Sequence, residues 1–355
     1  MVVINQLCKG KVPVIGILTA QKKDGSIAGN APLFIGLQKK LISLNGISFI
    51  FTLEGVHEHF IEGFTFIPEK NGWEKITAPY PDLVYNRIPF RTSEEELKNT
   101  EFFSCLRDKN IPFFNPGFID KYELYQLFKN HPTLQSYMPA TITAIHKQEF
   151  LSFLTKFNSI YLKPAQSARG NGIFKLVLDT DKKICFKGLK TSEEFLTFDH
   201  FWVEWENKLK KKNYLAQEEI KSRLYDGNRF DLRILAHAEN NHYIVTGVGI
   251  RQSQIQEITT HIPTGGRLLP YDLFQTEELD LFIQTIVEQI GKALSKKLGF
   301  FGEFSIDVGI SQSGQYYIYE VNSKPMSFDE SEIEERKIDH LCRLFLQLTG
   351  KKNNN

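Results

Sequence analysis

Three oxygen-bearing side chains late in the chain, Asp307, Glu320 and Asn322, lie in two short segments of strand-like pattern. The first is Phe304-Ser305-Ile306-Asp307-Val308-Gly309-Ile310, and the second begins at Tyr316 and runs to Asn322. Ser311-Gln312-Ser313-Gly314 between them reads as a hairpin turn. A four-residue loop sets Ile310 opposite Gln315 and therefore Asp307 opposite Ile318. Glu320 and Asn322 are two apart and share a face, and this register puts Asp307 on it too. Unpaired buried carboxylates are costly, so a cation is expected between them. All three are hard oxygen donors with no Cys or His nearby, which suits Mg²⁺. Mg²⁺ held by few protein ligands usually accompanies bound phosphates. On the hairpin alone, the same residues also fit a solvated strand face.

Upstream, Ser159-Ile160-Tyr161-Leu162-Lys163-Pro164 reads as an apolar strand ending in a lysine. It runs into a loop of small residues, Ala165 to Gly172, and a strand resumes at Ile173-Phe174-Lys175-Leu176-Val177-Leu178. Such a hairpin flap, with Gly170 and Gly172 in its loop, can bring backbone N–H groups close to phosphates. No G-x-x-x-x-G-K-[ST] occurs, and no G-x-G-x-x-G opens a helix, so neither a P-loop nor a dinucleotide fingerprint is supported. Taken singly, the glycine hairpin also describes a plain surface turn.

In this order the pieces resemble the ATP-grasp enzymes. The match places the first phosphate lysine at Lys121, within Asn115-Pro116-Gly117-Phe118-Ile119-Asp120-Lys121-Tyr122-Glu123, and the second at Lys163. The adenine hinge falls on Ala216-Gln217-Glu218-Glu219-Ile220, and the metal set on Asp307, Glu320 and Asn322. A narrower likeness runs through Ile61-Glu62-Gly63-Phe64, Trp73, Tyr80-Pro81-Asp82-Leu83-Val84-Tyr85-Asn86-Arg87-Ile88-Pro89, Ile111-Pro112-Phe113-Phe114-Asn115-Pro116 and Asp231-Leu232-Arg233-Ile234-Leu235. These phrases resemble the YheC/YheD family, ATP-grasp proteins linked to the endospore coat of spore-forming bacteria.

The resemblance implies a mixed α/β (α+β) fold in which an amino-terminal open α/β lobe precedes two α+β subdomains that clasp ATP. It implies ATP and Mg²⁺, with Mn²⁺ as an alternative metal. Lys121 and Lys163 would reach the phosphates as point charges. Ser167, Gly170 and Gly172 of the flap would lie over them, and Gln217, Glu218 and Ile220 would hold adenine mainly through backbone. Arg233 and Arg251 would act on the transferring phosphoryl group or else form structural ion pairs. The implied reaction is ADP-forming ligation of an unidentified carboxylate to an amine, or a thiol, through an acylphosphate. Its catalysis rests on positioning and charge neutralisation, with no enzyme nucleophile. A non-catalytic coat or scaffold protein and a phosphotransferase to a hydroxyl are the alternatives, and spore coat proteins are implied partners. One departure is Thr260-His261-Ile262-Pro263-Thr264-Gly265-Gly266-Arg267, where related ligases carry an asparagine before a Gly-Gly turn. His261, Gly265 and Gly266, with Arg87 in the amino-terminal lobe, are candidate acceptor contacts.

Composition agrees with a multi-lobed enzyme. At 355 residues two or three subdomains are expected, and 41% hydrophobic with 24% charged residues suits packed cores. A net charge of +1 gives no electrostatic case for nucleic acid. Cys8, Cys105, Cys185 and Cys342 lack C-x-x-C spacing, so neither a disulfide framework nor a zinc site is expected. No apolar run reaches membrane-span length. Val12-Pro13-Val14-Ile15-Gly16-Ile17-Leu18-Thr19-Ala20 could pass for a signal h-region. A helical pattern through Phe34, Leu37, Leu41 and Leu44 and a strand at Ile47–Phe51 follow it. It therefore reads as the first strand of a cytoplasmic β-α-β opening.

The expected organisation is an amino-terminal lobe over 1–115, a small subdomain over 116–215, a large subdomain over 216–348 and a disordered tail over 349–355. Leu83–Asn86 is expected as a strand and Glu94-Glu95-Glu96 as a helix start. A long helix is expected from Thr276 to Gly299, with Glu277 and Glu278 in its first turn and Lys296 and Lys297 in its last.

Overall fold

The computed structural model describes residues 2–3, 12–95, 97–166, 172–254 and 265–350, and three sheets follow one another along the chain. The first carries the β-α-β opening. Val14–Leu18 pairs in parallel with Ile47–Val56 on one side and Leu83–Asn86 on the other, with helix Ala31–Ser43 as the crossover. Two antiparallel strands, Ile61–Ile67 and Gly72–Ala78, extend one flank, and Phe113–Phe114 closes the other. Glu94 does not begin the helix expected there. It ends a one-turn helix, Arg91–Glu94, and the longer helix is Leu97–Asp108. The reason is that the Glu94 carboxylate is used elsewhere, accepting from Asn86 Nδ2 at 2.8 Å and Phe118 N at 2.7 Å.

The second sheet is antiparallel throughout, in the order Ser192–Phe195, Ile184–Lys187, Phe174–Leu178, Ser159–Pro164, Tyr214–Glu218, Thr141–Thr143. Phe150, Phe186, Phe201, Trp202 and Trp205 pack one face of it against helices Lys147–Phe157 and Phe198–Lys211. The flap hairpin is therefore built on the two central strands of an aromatic-backed sheet, which gives it a rigid base.

The third sheet runs Arg267–Leu269, His242–Gln252, Asn228–Glu239, Glu303–Ile310, Tyr316–Asn322. Strand alternation splits its residues cleanly. Leu232, Ile234, Ile306 and Val308 face a core with Leu279, Phe282, Ile286, Ile290 and Leu294 of helix Glu277–Leu298. That helix is capped by Thr276 Oγ1, which accepts from Leu279 N at 3.1 Å, and it stops at Gly299 (φ 102°). Asp231, Arg233, Asp307, Glu320 and Asn322 are left on the opposite face.

The hairpin register differs from the expected one in two compensating ways. Ser311 N donates to Gln315 O, so the turn holds three residues and Ile310 faces Tyr316 rather than Gln315. A bulge between Asp307 and Val308 then adds Tyr319 to the partner strand, and Asp307 faces Glu320 rather than Ile318. Each one-residue shift alone would flip the face, whereas together they restore it. Gly309 makes the bulge feasible, because a Cβ there would lie 2.1 Å from the Tyr319 hydroxyl.

Asn115 fastens the first lobe to this sheet. It is fully buried at φ 56°, its Oδ1 accepts from Gly302 N at 2.9 Å, and its Nδ2 donates to the carbonyls of Glu303 and Ser323. Asn115→Ala leaves those groups buried without partners and puts a Cβ-only side chain in left-handed backbone. We expect it to lower unfolding free energy by about 3 kcal/mol or more. Urea unfolding of parent and variant checks this, and coincident midpoints would refute it.

Candidate functional site

Asp307 and Glu320 oppose one another across the hairpin, and Asn322 pairs with Ser305 one step along the same face. Like charges so placed need cations, and two elements supply them. Arg251, only 4% exposed, donates from Nε to Asp231 Oδ1 at 2.9 Å and reaches Asp307 Oδ1 with Nη2 at 3.1 Å. Burial works against its charge, but Asp231 and then Asp307 more than offset that and hold the guanidinium firmly protonated. Lys121 brings Nζ to 2.6 Å from Glu320 Oε1. It opens helix Lys121–Lys129, whose cap is Asp120, with Oδ1 accepting from Tyr122 N at 2.8 Å and Glu123 N at 3.2 Å.

The pocket between the second and third sheets has a volume of about 130 Å³. Its lining includes Lys121, Lys163, Gln217, Glu218, Ile220, Asp231, Arg251, Asp307 and Glu320. Lys163 Nζ donates to Gln217 Oε1 at 2.5 Å, and Gln217 Nε2 donates to Thr141 Oγ1 at 3.1 Å. Glu218 Oε1 accepts from Ala140 N at 2.7 Å. The strand Tyr214–Glu218 is paired on both sides, so Ile220 lies just beyond the point where its backbone is consumed by the sheet.

Gly172 (φ 75°) closes the described part of the flap, with a Cβ position 3.0 Å from Pro164 and 3.1 Å from the Tyr214 hydroxyl. Ser167, Gly170 and His261 lie outside the described residues. Gly265 (φ 95°) and Gly266 precede strand Arg267–Leu269, and a Cβ at Gly265 would meet nothing within 4 Å. Arg233 sits beside Asp307 in the sheet, but its guanidinium turns to Met326 O at 3.4 Å and to the Phe328 ring at 5.0 Å. Arg87 lies away from the pocket. It is buried, with Nη1 2.9 Å from Glu303 Oε1 and Nη2 donating to Pro325 O at 3.0 Å.

Several lining residues carried no sequence expectation. Asp231 and Arg229 could have been found from the alternation Arg229, Asp231, Arg233 along one strand face, and Arg229 Nη1 donates to Tyr161 at 3.1 Å. Tyr319 could not, because it enters through the bulge.

The donor set fits Mg²⁺. Asp307 and Glu320 offer carboxylate oxygens and Asn322 an amide oxygen, an all-oxygen set; among the described residues no group of three His, Cys, Asp or Glu is placed to hold a metal ion. The ammonium of Lys121 against Glu320 already occupies the position of a cation there.

Residues 110–348 match the family described as YheC/D like ATP-grasp. The chain belongs to that family. The endospore coat-associated protein YheD of Bacillus subtilis (strain 168) is 27% identical over 308 residues, covering 81% of this chain and 67% of YheD. Among solved structures, D-alanyl-alanine synthetase A from Vibrio cholerae O1 superposes with a TM-score of 0.58 at 12% identity, covering 96% of this chain and 99% of that one. The ATP-grasp ligase PsnB, complexed with a phosphomimetic variant of its minimal precursor, Mg and ADP, gives 0.53 at 12% identity, covering 96% and 100%. The three sheets of this YheC/D-like chain therefore form an ATP-grasp fold. No described helix is long and apolar enough to cross a membrane.

Withdrawal from water pushes Lys163 down to about 8, with Glu320 pulling the other way and Lys121 adding to the depression. Its charged form thus costs folding free energy below that pH, and the cost fades as pH rises toward the range of exposed lysine. A polyanion would favour the ammonium. Binding of ATP near pH 8 should therefore take up as much as about half a proton, and affinity should fall as pH rises further. Titration calorimetry in buffers of different ionisation enthalpy reads this directly, and proton release near pH 8 would contradict it.

Proposed function

We propose that this chain is a Mg-ATP-dependent, ADP-forming ligase that joins a carboxylate to an amine through an acylphosphate. The observation that carries the reading is the convergence of Asp307 and Glu320, opposed across one hairpin, with Lys121 and Lys163 in a single pocket. Asp307, Glu320 and Asn322 would hold Mg²⁺, which supplies neutralisation of charge on the transferring phosphoryl group. Lys121 and Lys163 bind the phosphates, and Arg251, locked by Asp231 and Asp307, presents fixed positive charge beside them. Ile220, at the exit of the hinge strand, offers backbone to adenine. Ser167, Gly170 and Gly172 are assigned to phosphate binding on the strength of the resemblance to the ATP-grasp enzymes.

In the reaction, a carboxylate oxygen of the acid displaces ADP from the γ-phosphorus. The amine then displaces phosphate from the acyl carbon and gives up its proton. The chemistry needs no nucleophile from the protein, in keeping with a pocket lined by cations, carboxylates and amides. The name of YheD supports the endospore coat as the setting and coat proteins as partners. His261, Gly265 and Gly266 are assigned to the acceptor, and Arg233 joins Arg251 on the transferring phosphoryl group.

Incubation with ATP, Mg²⁺, hydroxylamine and a panel of amino acids and dicarboxylates should release ADP together with a hydroxamate for the matching acid. Asp307→Asn and Glu320→Gln should each reduce the rate by at least about 100-fold. AMP as product, phosphate transferred to a hydroxyl, or bound ATP with no turnover across the panel would count against the ligase.

A further inference from the structure

The two carboxylates of the hairpin are neutralised in unlike ways. Asp307 shares Arg251 with Asp231, at 3.1 Å and 2.9 Å, and the Arg251 and Asp307 side chains are only 5% and 8% exposed. A planar guanidinium gripped by two carboxylates and shielded from water is fixed. Glu320 has Lys121 Nζ at 2.6 Å from Oε1, in a pair that is 17% and 29% exposed. That ammonium stands on a flexible four-carbon stem within reach of solvent. The backbone beneath it is held. Asp120 caps the helix, and Lys121 N donates to Ala165 O at 3.2 Å, just past strand Ser159–Pro164. Only side-chain torsions are then needed to move Nζ off Glu320.

Charge in the pocket balances within the protein. Lys121, Lys163 and Arg251 line it together with Asp231, Asp307 and Glu320. Among the described residues the other charged pair of the lining, Arg229 and Glu218, is turned to Tyr161 and to Ala140 N. A divalent cation arriving alone would share the Glu320 carboxylate with an ammonium 2.6 Å from its oxygen, and like charges at such range repel. Phosphates change the balance, because they offer the ammonium a more highly charged anion. Lys163 does not stand in the same relation to the hairpin, since its Nζ donates to Gln217 Oε1 at 2.5 Å.

Resting on the nucleotide-site reading, we infer that Lys121 is an exchangeable cation. It covers Glu320 in the nucleotide-free chain, turns to the phosphates when ATP binds, and thereby opens Glu320 to the divalent metal. The exchange couples metal and nucleotide in both directions, so each tightens the other. Lys121 is then a guard against metal held without nucleotide as well as a phosphate ligand.

The test is titration of Mn²⁺ alone into the full chain, read by loss of the free Mn²⁺ signal in electron paramagnetic resonance. The parent should bind weakly. Lys121→Met, which removes the ammonium and keeps the stem, should tighten Mn²⁺ binding at least about tenfold, with Lys121→Gln acting in the same direction. Lys121→Arg, which keeps a cation, should stay near the parent. Lys163→Met removes the same charge from the same pocket but not from Glu320, and should change the affinity by less than about threefold. Adding Glu320→Gln to Lys121→Met should abolish the gain. Circular dichroism melting shows whether each variant is folded. Equal tightening by both Met variants would reduce the effect to general pocket charge, and no tightening by Lys121→Met or Lys121→Gln would leave Lys121 out of the metal's way. Either result overturns the inference. Stabilisation of the parent by Mg-ATP reads the underlying site separately. With it, a failed Mn²⁺ result sinks the exchange alone; without it, the nucleotide-site reading itself is contradicted.

Discussion

Two carboxylates held face to face across an antiparallel pair, Asp307 against Glu320, set the terms for the rest of this molecule. Alone they would repel, and in a half-buried hairpin they would be costly to ionise. Compensation comes from two directions. Arg251, on a strand of the same sheet, is shared between Asp231 and Asp307. Lys121, from a helix that precedes the second sheet, reaches Glu320. The charge balance of one hairpin therefore joins separate parts of the chain and leaves a pocket rich in fixed charge between them.

The first lobe takes part in the same arrangement from behind. Lys324, two residues after Asn322, is buried against Glu94, with Asn86 Oδ1 at 3.0 Å and Ile88 O at 3.1 Å. Arg87 holds Glu303 and Pro325 O, and Asn115 spans the backbones of both hairpin strands. Groups from the amino-terminal lobe thus grip the hairpin of Asp307 and Glu320 at the ends of its strands. Truncating any one of them leaves buried partners unsatisfied, so the cost would appear both in stability and in the placement of Asp307 and Glu320.

Much of this was legible in residue order. Lys121, Lys163, Gln217, Glu218, Ile220, Asp307 and Glu320 do line one pocket, and helix Glu277–Leu298 begins and ends at Thr276 and Gly299 because capping is local chemistry. The hairpin register was not legible. A turn one residue shorter than expected and a bulge at Tyr319 depend on Gly309 leaving space across the ladder, which is a tertiary fact. Glu94 misled for a similar reason, since helix-start propensity competes with a buried lysine distant in sequence. Arg87 pointed to a substrate contact by its place at a strand end, whereas Glu303 claims it.

The most direct measurement of the central claim is calorimetric binding of ATP to the parent and to Glu320→Gln, each with Mg²⁺ and with a chelator. If the opposed carboxylates are a metal site serving bound phosphates, the parent binds ATP more tightly with Mg²⁺ and the variant loses that dependence while keeping residual binding through Lys121 and Lys163. A parent that ignores ATP, or a variant with the same Mg²⁺ dependence as the parent, would contradict the account.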